Sequence, residues 1–436
     1  MDAVIIKKEG SFQLDNVDLF KSKAFAWANQ FELISYLDSN QYDKDQYHSH
    51  EGLIAVGRSA QLIKTKDTNA FQALQQLHTS TQDWLFGFMA YDLKNEVERL
   101  TSNNKDQLDF PDMLFFQPEI VLEIFKDHIK IHSQSVAAKT IYEQIQATIP
   151  FALKNESKPA KIKARLPKSY YLESVEAIRQ HIIEGDIYEM NFCQEFFVEN
   201  YAIDPAQLFL RLNAISKAPF SAFVKWKDQY LCCASPERFM KKVGNKLISQ
   251  PIKGTIKRGT NLAEDLQLQK LLSNSEKDKA ENVMIVDLVR NDLARSCKAG
   301  TVKVEELFGI YAYEQVHHMI STVSGELRED MHFVDAIRNA FPMGSMTGAP
   351  KVMSMQLIEQ YEQSRRGLYS GAVGYIRPNG DFDFNVVIRS VLYNAFSQYL
   401  SFQVGGAIVY NSTPEQEYEE CLLKAKGILK SLKFKL

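Results

Sequence analysis

Hydrophobic residues in the first 150 positions fall in short runs that polar turns separate. The clearest runs are Trp84–Tyr91 and Glu119–Phe125, and the second is bounded by Pro118 and a polar Lys-Asp-His turn. Short apolar runs between turn residues predict β-strands. This part of the chain is therefore expected to consist mainly of strands.

A helical pattern follows a polar, basic connector predicted at Asn155–Lys168. Tyr171, Val175, Ile178 and Ile182 recur at helical spacing, and a glycine follows where a C-terminal cap is expected. Further helices are predicted near 262–273, 277–294, 351–363 and 415–432, and strands at 192–198, 222–226, 370–376, 384–393 and 399–404. Blocks of strands with helices between them favour an α+β architecture over regular βαβ alternation.

Length and composition are those of an ordinary globular protein. A chain of 436 residues is longer than a single hydrophobic core usually serves, so two subdomains or one large layered unit are expected. Hydrophobic residues make up 45% and charged residues 24%, which argues against disorder. The net charge of −3 argues against nucleic acid as the main partner, although a local group of cations could bind a small anion.

The chain carries no membrane or disulfide signature. No apolar stretch approaches the roughly 20 residues that cross a bilayer, and no signal peptide is recognised at the start. The five cysteines show no CxxC spacing, which supports neither a disulfide framework nor a zinc site. We expect a cytoplasmic protein.

The stretch Pro251–Thr255 is the most informative candidate for chemistry. Its Gly-Thr pair offers bare backbone and a hydroxyl to a carboxylate, and Lys253 beside the pair could act as a nucleophile. Taken alone, these residues are more typical of an ordinary turn with a surface lysine.

Two predicted helices carry acidic residues three positions apart. Asp278 and Glu281 form one pair, and Glu417 and Glu420 form the other. This spacing puts both carboxylates of a pair on one helical face. Two such faces across a cleft would supply oxygen ligands for Mg²⁺, which keeps waters and accepts substrate oxygens. The alternative is that these acids are solvated or favour the helix dipole.

Other stretches offer parts of an anion-binding site. The loop Phe341–Lys351 opens a predicted helix without the Gly-Lys-Ser/Thr end of a nucleotide P-loop, and adjacent glycines in Val404–Val409 indicate a close ligand or a bulge. Tyr375 and Arg389 are predicted on two strands joined by an Asn-Gly turn, so either could reach the same cleft. His318, by itself, is more typical of a structural histidine.

Taken together, these stretches resemble the chorismate-utilising enzymes. The family includes the large subunits of anthranilate and aminodeoxychorismate synthases and, more distantly, isochorismate and salicylate synthases. The likeness covers nearly the whole chain and is densest over 171–430. It implies an α+β fold of the α/β-sandwich type, with large antiparallel sheets packed on each other and helices outside. It also implies an N-terminal anthranilate synthase component I-like region, 1–150, and a chorismate-binding catalytic region, 165–433.

The resemblance implies roles for individual residues. Glu281 and Glu420 would bind Mg²⁺ directly, while Asp278 and Glu417 would hold its waters. Glu237 would be the acid near the C4 hydroxyl of the substrate. The groups expected to bind chorismate are Gly254, Thr255, Thr347, Tyr375, Arg389, Gly405, Gly406, Ala407 and Lys424.

Lys253 is the residue on which the subtype depends. Anthranilate synthases carry a small residue in its place, whereas lysine is similar to the aminodeoxychorismate synthase large subunits, in which it is thought to attack ring carbon C2 as the C4 hydroxyl leaves. Ammonia would then add at C4 and expel the lysine, giving 4-amino-4-deoxychorismate for 4-aminobenzoate and folate synthesis. This chemistry requires a neutral amine, which burial or a nearby cation would favour by lowering the pKa of Lys253. It also requires a Glu237 kept protonated by a raised pKa.

Alternatives to this subtype stay open. An anthranilate synthase would release pyruvate, with His318 as the proton handler, and a non-catalytic subunit would only recruit an amidotransferase. Glu189 stands where isochorismate and salicylate synthases use a lysine to activate water, which disfavours hydroxylation and leaves its own role open. No glutaminase is recognised, so a separate glutamine amidotransferase subunit, or free ammonium, is expected to supply ammonia. Pro219–Ser221 resembles one wall of a pocket in which relatives often hold tryptophan.

Overall fold

The computed structural model describes residues 8–64, 69–154 and 160–434. In these residues, the backbone forms two large antiparallel sheets whose inner faces pack together, with helices on the outside. The α+β sandwich expected from the sequence is therefore confirmed.

Strands occur along the whole described part of the chain. In chain order they are β1 (Lys8–Gln13), β2 (Leu33–Asp38), β3 (Gly52–Val56), β4 (Ala60–Ile63), β5 (Leu85–Met89), β6 (Met113–Gln117), β7 (Ile120–Ile124), β8 (His128–Ser133), β9 (Lys163–Ala164), β10 (Glu189–Val198), β11 (Phe220–Trp226), β12 (Gln229–Ser235), β13 (Arg238–Val243), β14 (Lys246–Gln250), β15 (Ile252–Lys257), β16 (Lys303–Ala312), β17 (Val316–Glu326), β18 (Gly348–Ala349), β19 (Ala372–Ile376), β20 (Phe382–Val386), β21 (Ser390–Asn394) and β22 (Tyr399–Ile408).

The helices lie between these strands. They are α1 (Val17–Ala28), α2 (Ala70–Thr81), α3 (Lys94–Val97), α4 (Ala138–Ala147), α5 (Lys168–Glu184), α6 (Pro205–Ser216), α7 (Leu262–Ser273), α8 (Glu276–Ala294), α9 (Phe333–Ala340), α10 (Lys351–Tyr361) and α11 (Pro414–Leu432), with short 3₁₀ turns at Tyr91–Leu93 and Gly344–Met346.

Both sheets mix strands from the two ends of the chain. The first sheet has the order β1-β8-β7-β3-β2-β11-β12-β21-β22-β10-β18, with β9 paired to β10. The second has the order β15-β17-β14-β13-β20-β19-β5-β6-β4, with β16 paired to β17. Because β2 pairs with β11 and β5 pairs with β19, the N-terminal and catalytic regions named above are interleaved within the same sheets.

Alternating side chains of the central strands fill two apolar layers. In β3, Leu53 and Ala55 face the layer between the sheets, whereas Ile54 and Val56 face the helices outside the first sheet. Because both faces of such a strand are covered, its sequence is apolar throughout rather than alternating with polar residues.

Most predicted elements are present, with one exception that affects the site. The helix after the connector ends at Gly185, whose φ of +87° is the left-handed cap conformation. The single strand predicted at 384–393 is wrong: β20 ends at Val386, β21 begins at Ser390, and the chain crosses from the second sheet to the first between them. Positions 155–159 of the predicted connector lie outside the described residues. Within the described ranges, every helix is too short or too polar to span a bilayer.

The candidate site lies where the ends of the two sheets approach each other. Strands β15 and β17 form that end of the second sheet, and β22, β10 and β18 form that end of the first. Helix α8 packs on β15 and β17, and α11 packs on β22. The two helices that carry the predicted acid pairs are thus brought to the same region.

Candidate active site

Strand β15 presents Lys253 through a bulge. Its register against β17 shifts between Ile252 and Thr255, and Gly254 has a φ of +93°, a left-handed conformation that glycine adopts at no steric cost. The side-chain amide of Asn282 on α8 donates to the Lys253 carbonyl (3.4 Å). This contact ties the bulge to the helix that carries the first acid pair.

Lys253 and Glu189 form a buried ion pair. The Lys253 ammonium donates to Glu189 Oε1, and the two side chains are 10% and 1% exposed. Burial by itself lowers the pKa of Lys253, but the negative charges of Glu189 and Glu281 outweigh it and raise that pKa above its ordinary value. The lowered pKa expected for Lys253 is therefore wrong, because the neighbouring carboxylates outweigh burial. The resting state is an ammonium rather than the neutral amine that nucleophilic attack requires. No sequence pattern indicates this pairing, because the two residues are far apart in the chain.

Glu237 lies between β12 and β13, and its backbone is held on both sides. Its N–H donates to Ser235 Oγ (3.2 Å), and its carbonyl accepts from the Val386 N–H (3.0 Å). Burial raises the pKa of Glu237 to about 7, against the opposing effects of a hydrogen bond from Ser345 and the positive charge of Lys253. This shift has the direction predicted from the sequence, and it keeps a proton available near neutral pH.

The two acid-bearing helices converge on the same lysines. Burial raises the pKa of Glu281 to about 7, although Lys253 and Lys277 oppose the rise. Lys424 lowers the pKa of Glu420, with smaller contributions of the same sign from Lys277 and Lys253 and against the effect of burial. The charges of Lys253 and Lys277 thus act on both Glu281 on α8 and Glu420 on α11, and we call the region around these two acids and Lys253 the cleft.

The donor atoms around the cleft suit a hard divalent cation. A Cβ added at Gly406 would lie 3.4 Å from Glu417 Oε2 and 3.5 Å from Glu420 Oε1, so the bare strand leaves room beneath α11. The Ser412 hydroxyl donates to Glu417 Oε1 (2.6 Å) and orients that carboxylate. Carboxylate oxygens with room for waters and substrate oxygens are the surroundings that Mg²⁺ prefers, so these residues fit the predicted ion.

The acid pairs form an open site rather than a closed cage. Three candidate ligand atoms lie within 4.8 Å of one another at one place in the part of the chain that the structure describes. That place is outside the cleft and consists of His181, Glu184 and Asp186. Both ring nitrogens of His181 are already engaged, Nδ1 with Asp186 (2.8 Å) and Nε2 with the Tyr361 hydroxyl (3.0 Å). An ion held by few protein ligands suits Mg²⁺, which dehydrates reluctantly.

Arg389 and Lys424 stand beside the glycine strand. Lys424 Nζ donates to the Gly405 carbonyl (2.8 Å) and pairs with Glu420 (2.8 Å), while Arg389 Nη1 donates to the Lys424 carbonyl (3.1 Å). Residues 405–407 pair with β10 in extended backbone without positive φ, so alanine at position 407 is accommodated. Two cations and a glycine-rich strand therefore meet at one point, as a site for carboxylates requires.

Thr255 and His318 face each other across β15 and β17. Thr255 Oγ1 and His318 Nδ1 are hydrogen-bonded at 2.8 Å. Burial, together with the positive charge of Arg389, lowers the pKa of His318 to about 3. His318 is therefore neutral near neutral pH, and it orients the threonine hydroxyl.

Thr347 is buried in the loop before β18. Its hydroxyl donates to the carbonyls of Met343 and Gly344 (3.3 Å each), and its own carbonyl accepts from the Asn191 N–H (2.8 Å). Because Asn191 comes two residues after Glu189 on β10, Thr347 fixes the loop close to that acid. Its predicted contact with a substrate stays a prediction.

Tyr375 is not brought to this cleft, which corrects one prediction. In the β19–β20 hairpin, Ala372 pairs with Val386 at the open end, whereas Tyr375 pairs with Asp383 nearer the turn, roughly 10 Å further along the strand. Arg389 follows the open end, in the crossing segment between the sheets, and has a φ of +52°. The Asn-Gly turn predicted the hairpin correctly but gave no indication of which end reaches the cleft.

Tyr375 instead faces a cavity between the sheets. Asp38, His50 and Pro219–Ser221 line this cavity with it, and its ring centroid lies 5.4 Å from that of His50. The cavity therefore contains the run that resembles a wall of the tryptophan pocket in relatives.

Tyr369 is the tyrosine that lies at the cleft. Its hydroxyl is 3.5 Å from Cys193 Sγ, and Cys193 is the partner of Gly405 across β10 and β22. Tyr369 also acts electrostatically on Arg389. The sequence could have indicated Tyr369 by its position just before β19, because this is the end of the hairpin opposite the Asn-Gly turn.

Comparison with known proteins gives matches over most of the chain. The family model for chorismate binding enzyme matches residues 23–430. Aminodeoxychorismate synthase component 1 of Escherichia coli is 35% identical over 357 residues, which cover 80% of this chain and 77% of that protein. Anthranilate synthase component 1 of Thermus thermophilus is 34% identical over 358 residues, which cover 79% of this chain and 76% of that protein.

A solved structure shows the same fold. Anthranilate synthase component I from Streptococcus pneumoniae superposes with a TM-score of 0.78 at 24% sequence identity, covering 89% of this chain and 96% of that chain. The identities of 35% and 34% to two differently named enzymes are nearly equal. Overall similarity therefore does not separate the two activities, and the residues of the cleft have to do so.

Proposed function

This chain belongs to the chorismate binding enzyme family, and from that premise we propose that it converts chorismate and ammonia to 4-amino-4-deoxychorismate. The placement of the Lys253 amine is the observation that carries the proposal. The Lys253 side chain is 10% exposed and paired with Glu189, and its charge acts on both Glu281 and the protonatable Glu237. An amine in this place can add to the substrate ring, which is a step that anthranilate formation does not need.

The cations of the cleft hold the two carboxylates of chorismate. Arg389 offers a planar fork and Lys424 a point charge, and the extended backbone of residues 405–407 lies against both. Gly254 and Thr255 border the other side of the cleft, where His318 orients the threonine hydroxyl. Binding on two sides fixes the ring so that C2 lies over Lys253.

Lys253 and Glu237 then perform the substitution in two balanced steps. The neutral Lys253 amine attacks C2, the two conjugated ring double bonds move from C1=C2 and C5=C6 to C1=C6 and C4=C5, and the C4–O bond breaks as Glu237 gives its proton to the departing hydroxyl, which leaves as water. Ammonia attacks C4, both double bonds move back to C1=C2 and C5=C6, and the bond between C2 and the lysine nitrogen breaks. The new C4 nitrogen gives a proton to Glu237, which restores the acid. The net change replaces a hydroxyl with an amino group.

The acid pairs are assigned to Mg²⁺. Glu281 and Glu420 would hold the ion directly, and Asp278 and Glu417 would hold its waters. When bound, the ion supplies positive charge to the ring carboxylate and to the charge that develops as the hydroxyl departs. Burial of Glu281 and the room above Gly406 support this assignment.

Ammonia is proposed to come from a separate glutamine amidotransferase subunit, with free ammonium as the substitute in its absence. The designation component 1 of the Escherichia coli relative is consistent with such a partner. The product serves 4-aminobenzoate and folate synthesis. We place the reaction in the cytoplasm, where the five buried, unpaired cysteines stay reduced.

One incubation tests the proposal. The chain is incubated with chorismate, Mg²⁺ and ammonium, and the products are separated and identified by mass. We expect 4-amino-4-deoxychorismate without pyruvate; fluorescent anthranilate with an equal amount of pyruvate would overturn the proposal. A mass increase on the Lys253 peptide in the absence of ammonium would separate an enzyme that uses this lysine from a subunit that only recruits an amidotransferase.

A further inference from the structure

Glu189 is placed to take the proton that Lys253 must lose before it attacks. We propose that Glu189 is the catalytic base for Lys253: Oε1 accepts the ammonium proton, holds it while the lysine is bonded to the ring, and returns it when the lysine is expelled. The inference rests on the proposed function, because it assigns the proton of the same nucleophile.

The hydrogen bond between the two residues supplies the path for the proton. Three carboxylates favour the charged form of Lys253, and they are Glu189, Glu281 and Glu237. Among them, Glu189 alone is joined to the ammonium by a hydrogen bond, whereas the other two act through their charge. The 10% exposure of the Lys253 side chain leaves little access for a base from bulk water.

The carboxylate of Glu189 has an open position for a proton. Its Oε2 atom is buried and has no hydrogen-bond partner, while Oε1 is bonded to Lys253. The unpartnered oxygen leaves the carboxyl group able to carry a proton without breaking another hydrogen bond. The backbone holds the group in place, because Glu189 pairs with Ala349 of β18 and its carbonyl accepts from Ser354 Oγ (3.3 Å).

The transfer keeps the net charge of the site constant. Before attack, Lys253 is positive, Glu189 is negative and Glu237 is neutral. After attack, the secondary amine on C2 is positive, Glu189 is neutral, and Glu237 is negative because its proton has left in water. When ammonia displaces the lysine, Lys253 departs as a neutral amine and recovers its proton from Glu189. A constant net charge matters in a buried site, where uncompensated charge is expensive.

Glu189→Gln tests the base, since glutamine keeps the size and a hydrogen-bonding oxygen but cannot take the proton. At saturating Mg²⁺ and ammonium, we expect kcat for 4-amino-4-deoxychorismate formation to fall by about 100-fold or more, with KM for chorismate changed by less than about threefold. From about pH 5.5 to about pH 7, kcat of the unaltered protein should be flat, whereas that of the variant should rise with pH by up to tenfold per unit as bulk water deprotonates Lys253.

Chemical rescue separates a base from a structural partner. Glu189→Ala assayed in sodium formate should recover about tenfold more activity than in sodium chloride of equal ionic strength, because formate can take the proton. This measurement also decides the matter if the glutamine variant does not fold. Absence of rescue, with kcat lowered and KM raised, would assign Glu189 a structural role and overturn the proposal.

Glu195→Gln is the matched control. Glu195 lies on the same strand with its side chain 6% exposed, and it pairs with Arg165 (2.8 Å) away from the cleft. The Glu195→Gln variant should have a lower Tm than the unaltered protein and the same kcat. If kcat of Glu189→Gln is within about threefold of that of the unaltered protein and the pH profile is the same, the role of Glu189 is overturned but the proposed function is not. Production of anthranilate by the unaltered protein would overturn the proposed function and this role together.

Discussion

Gly254 packs closely against Asp278, since a Cβ added to the glycine would lie only 3.1 Å from the Asp278 Cβ. Gly254 follows Lys253 on β15, and Asp278 lies in the first turn of α8, one turn before Glu281. The strand that carries Lys253 and the helix of the first acid pair thus pack without a side chain between them. Any displacement of one is passed to the other.

Gly254→Ala should therefore weaken Mg²⁺ binding as well as stability. A left-handed alanine costs about 1–2 kcal/mol, and its methyl group also pushes α8 away from β15. We expect the Mg²⁺ concentration for half-maximal activity to rise about tenfold and Tm to fall by a few degrees. Gly185→Ala is the control, because its φ is +87° but an added Cβ meets nothing within 4 Å. Equal Mg²⁺ titrations for the two variants would contradict this coupling.

Tyr369→Phe and Tyr375→Phe should have different effects on substrate binding. Both tyrosines are buried, but Tyr369 lies beside Arg389 and Cys193, whereas Tyr375 lies in the cavity with His50. Loss of one hydroxyl at the cleft should raise KM for chorismate about three- to tenfold, in line with one lost hydrogen bond. The Tyr375 variant should keep its KM. Steady-state kinetics on the two proteins compare these positions, and the reverse order of effects would restore the original prediction for Tyr375.

The features predicted from the sequence are those that depend on local order. Helix α5 with its glycine cap, the acid-bearing helices and the Asn-Gly hairpin follow from periodicity and turn chemistry within short windows. The raised pKa of Glu237 was also expected, but that expectation came from the role that the family resemblance implies and not from local order.

The features that could not be predicted depend on distant parts of the chain. Lys253 and Glu189 meet only because β15 and β10 lie at neighbouring ends of different sheets. Tyr375 was misplaced because the hairpin motif fixes the pairing of β19 and β20 but not the end at which the chain crosses to the first sheet. Arg389 was expected on a strand and lies in that crossing instead.

Lys253→Ala should abolish the reaction and leave substrate binding nearly intact. The cations proposed to hold the carboxylates, Arg389 and Lys424, are on other elements, so the substitution removes only the proposed nucleophile. We expect kcat to fall by at least about 1,000-fold with the dissociation constant for chorismate changed by less than about threefold. Product assays and isothermal titration measure the two quantities. Lys257→Ala, an exposed lysine on the same strand, should behave like the unaltered protein, and unchanged turnover in Lys253→Ala would exclude the covalent route.

The pH dependence should report the protonation of Glu237. Burial raises its pKa to about 7, and the proposed acid must carry its proton, so activity is present below that pH and is lost as pH rises through about 7. We expect kcat/KM at saturating Mg²⁺ to fall by up to about tenfold per unit above this point. An unshifted glutamate would begin the same decline roughly two or more units lower. A profile that stays flat from about pH 6 to about pH 9 would show that Glu237 is not the proton donor.

Glu281→Gln should shift the Mg²⁺ dependence with little effect at saturating metal. A neutral amide is a weaker ligand than a carboxylate, so we expect the Mg²⁺ concentration for half-maximal activity to rise at least about tenfold. Because burial raises the pKa of Glu281 to about 7, protons should compete with the ion in the unaltered protein, and its apparent Mg²⁺ affinity should fall as pH drops below that value. Glu276→Gln, an 89% exposed residue one turn and a half earlier on α8, is the control and should leave the titration unchanged. If Glu281→Gln and Glu276→Gln give the same titration curve, Glu281 is not a ligand, and the ion would have to be reassigned to Glu417 and Glu420 alone.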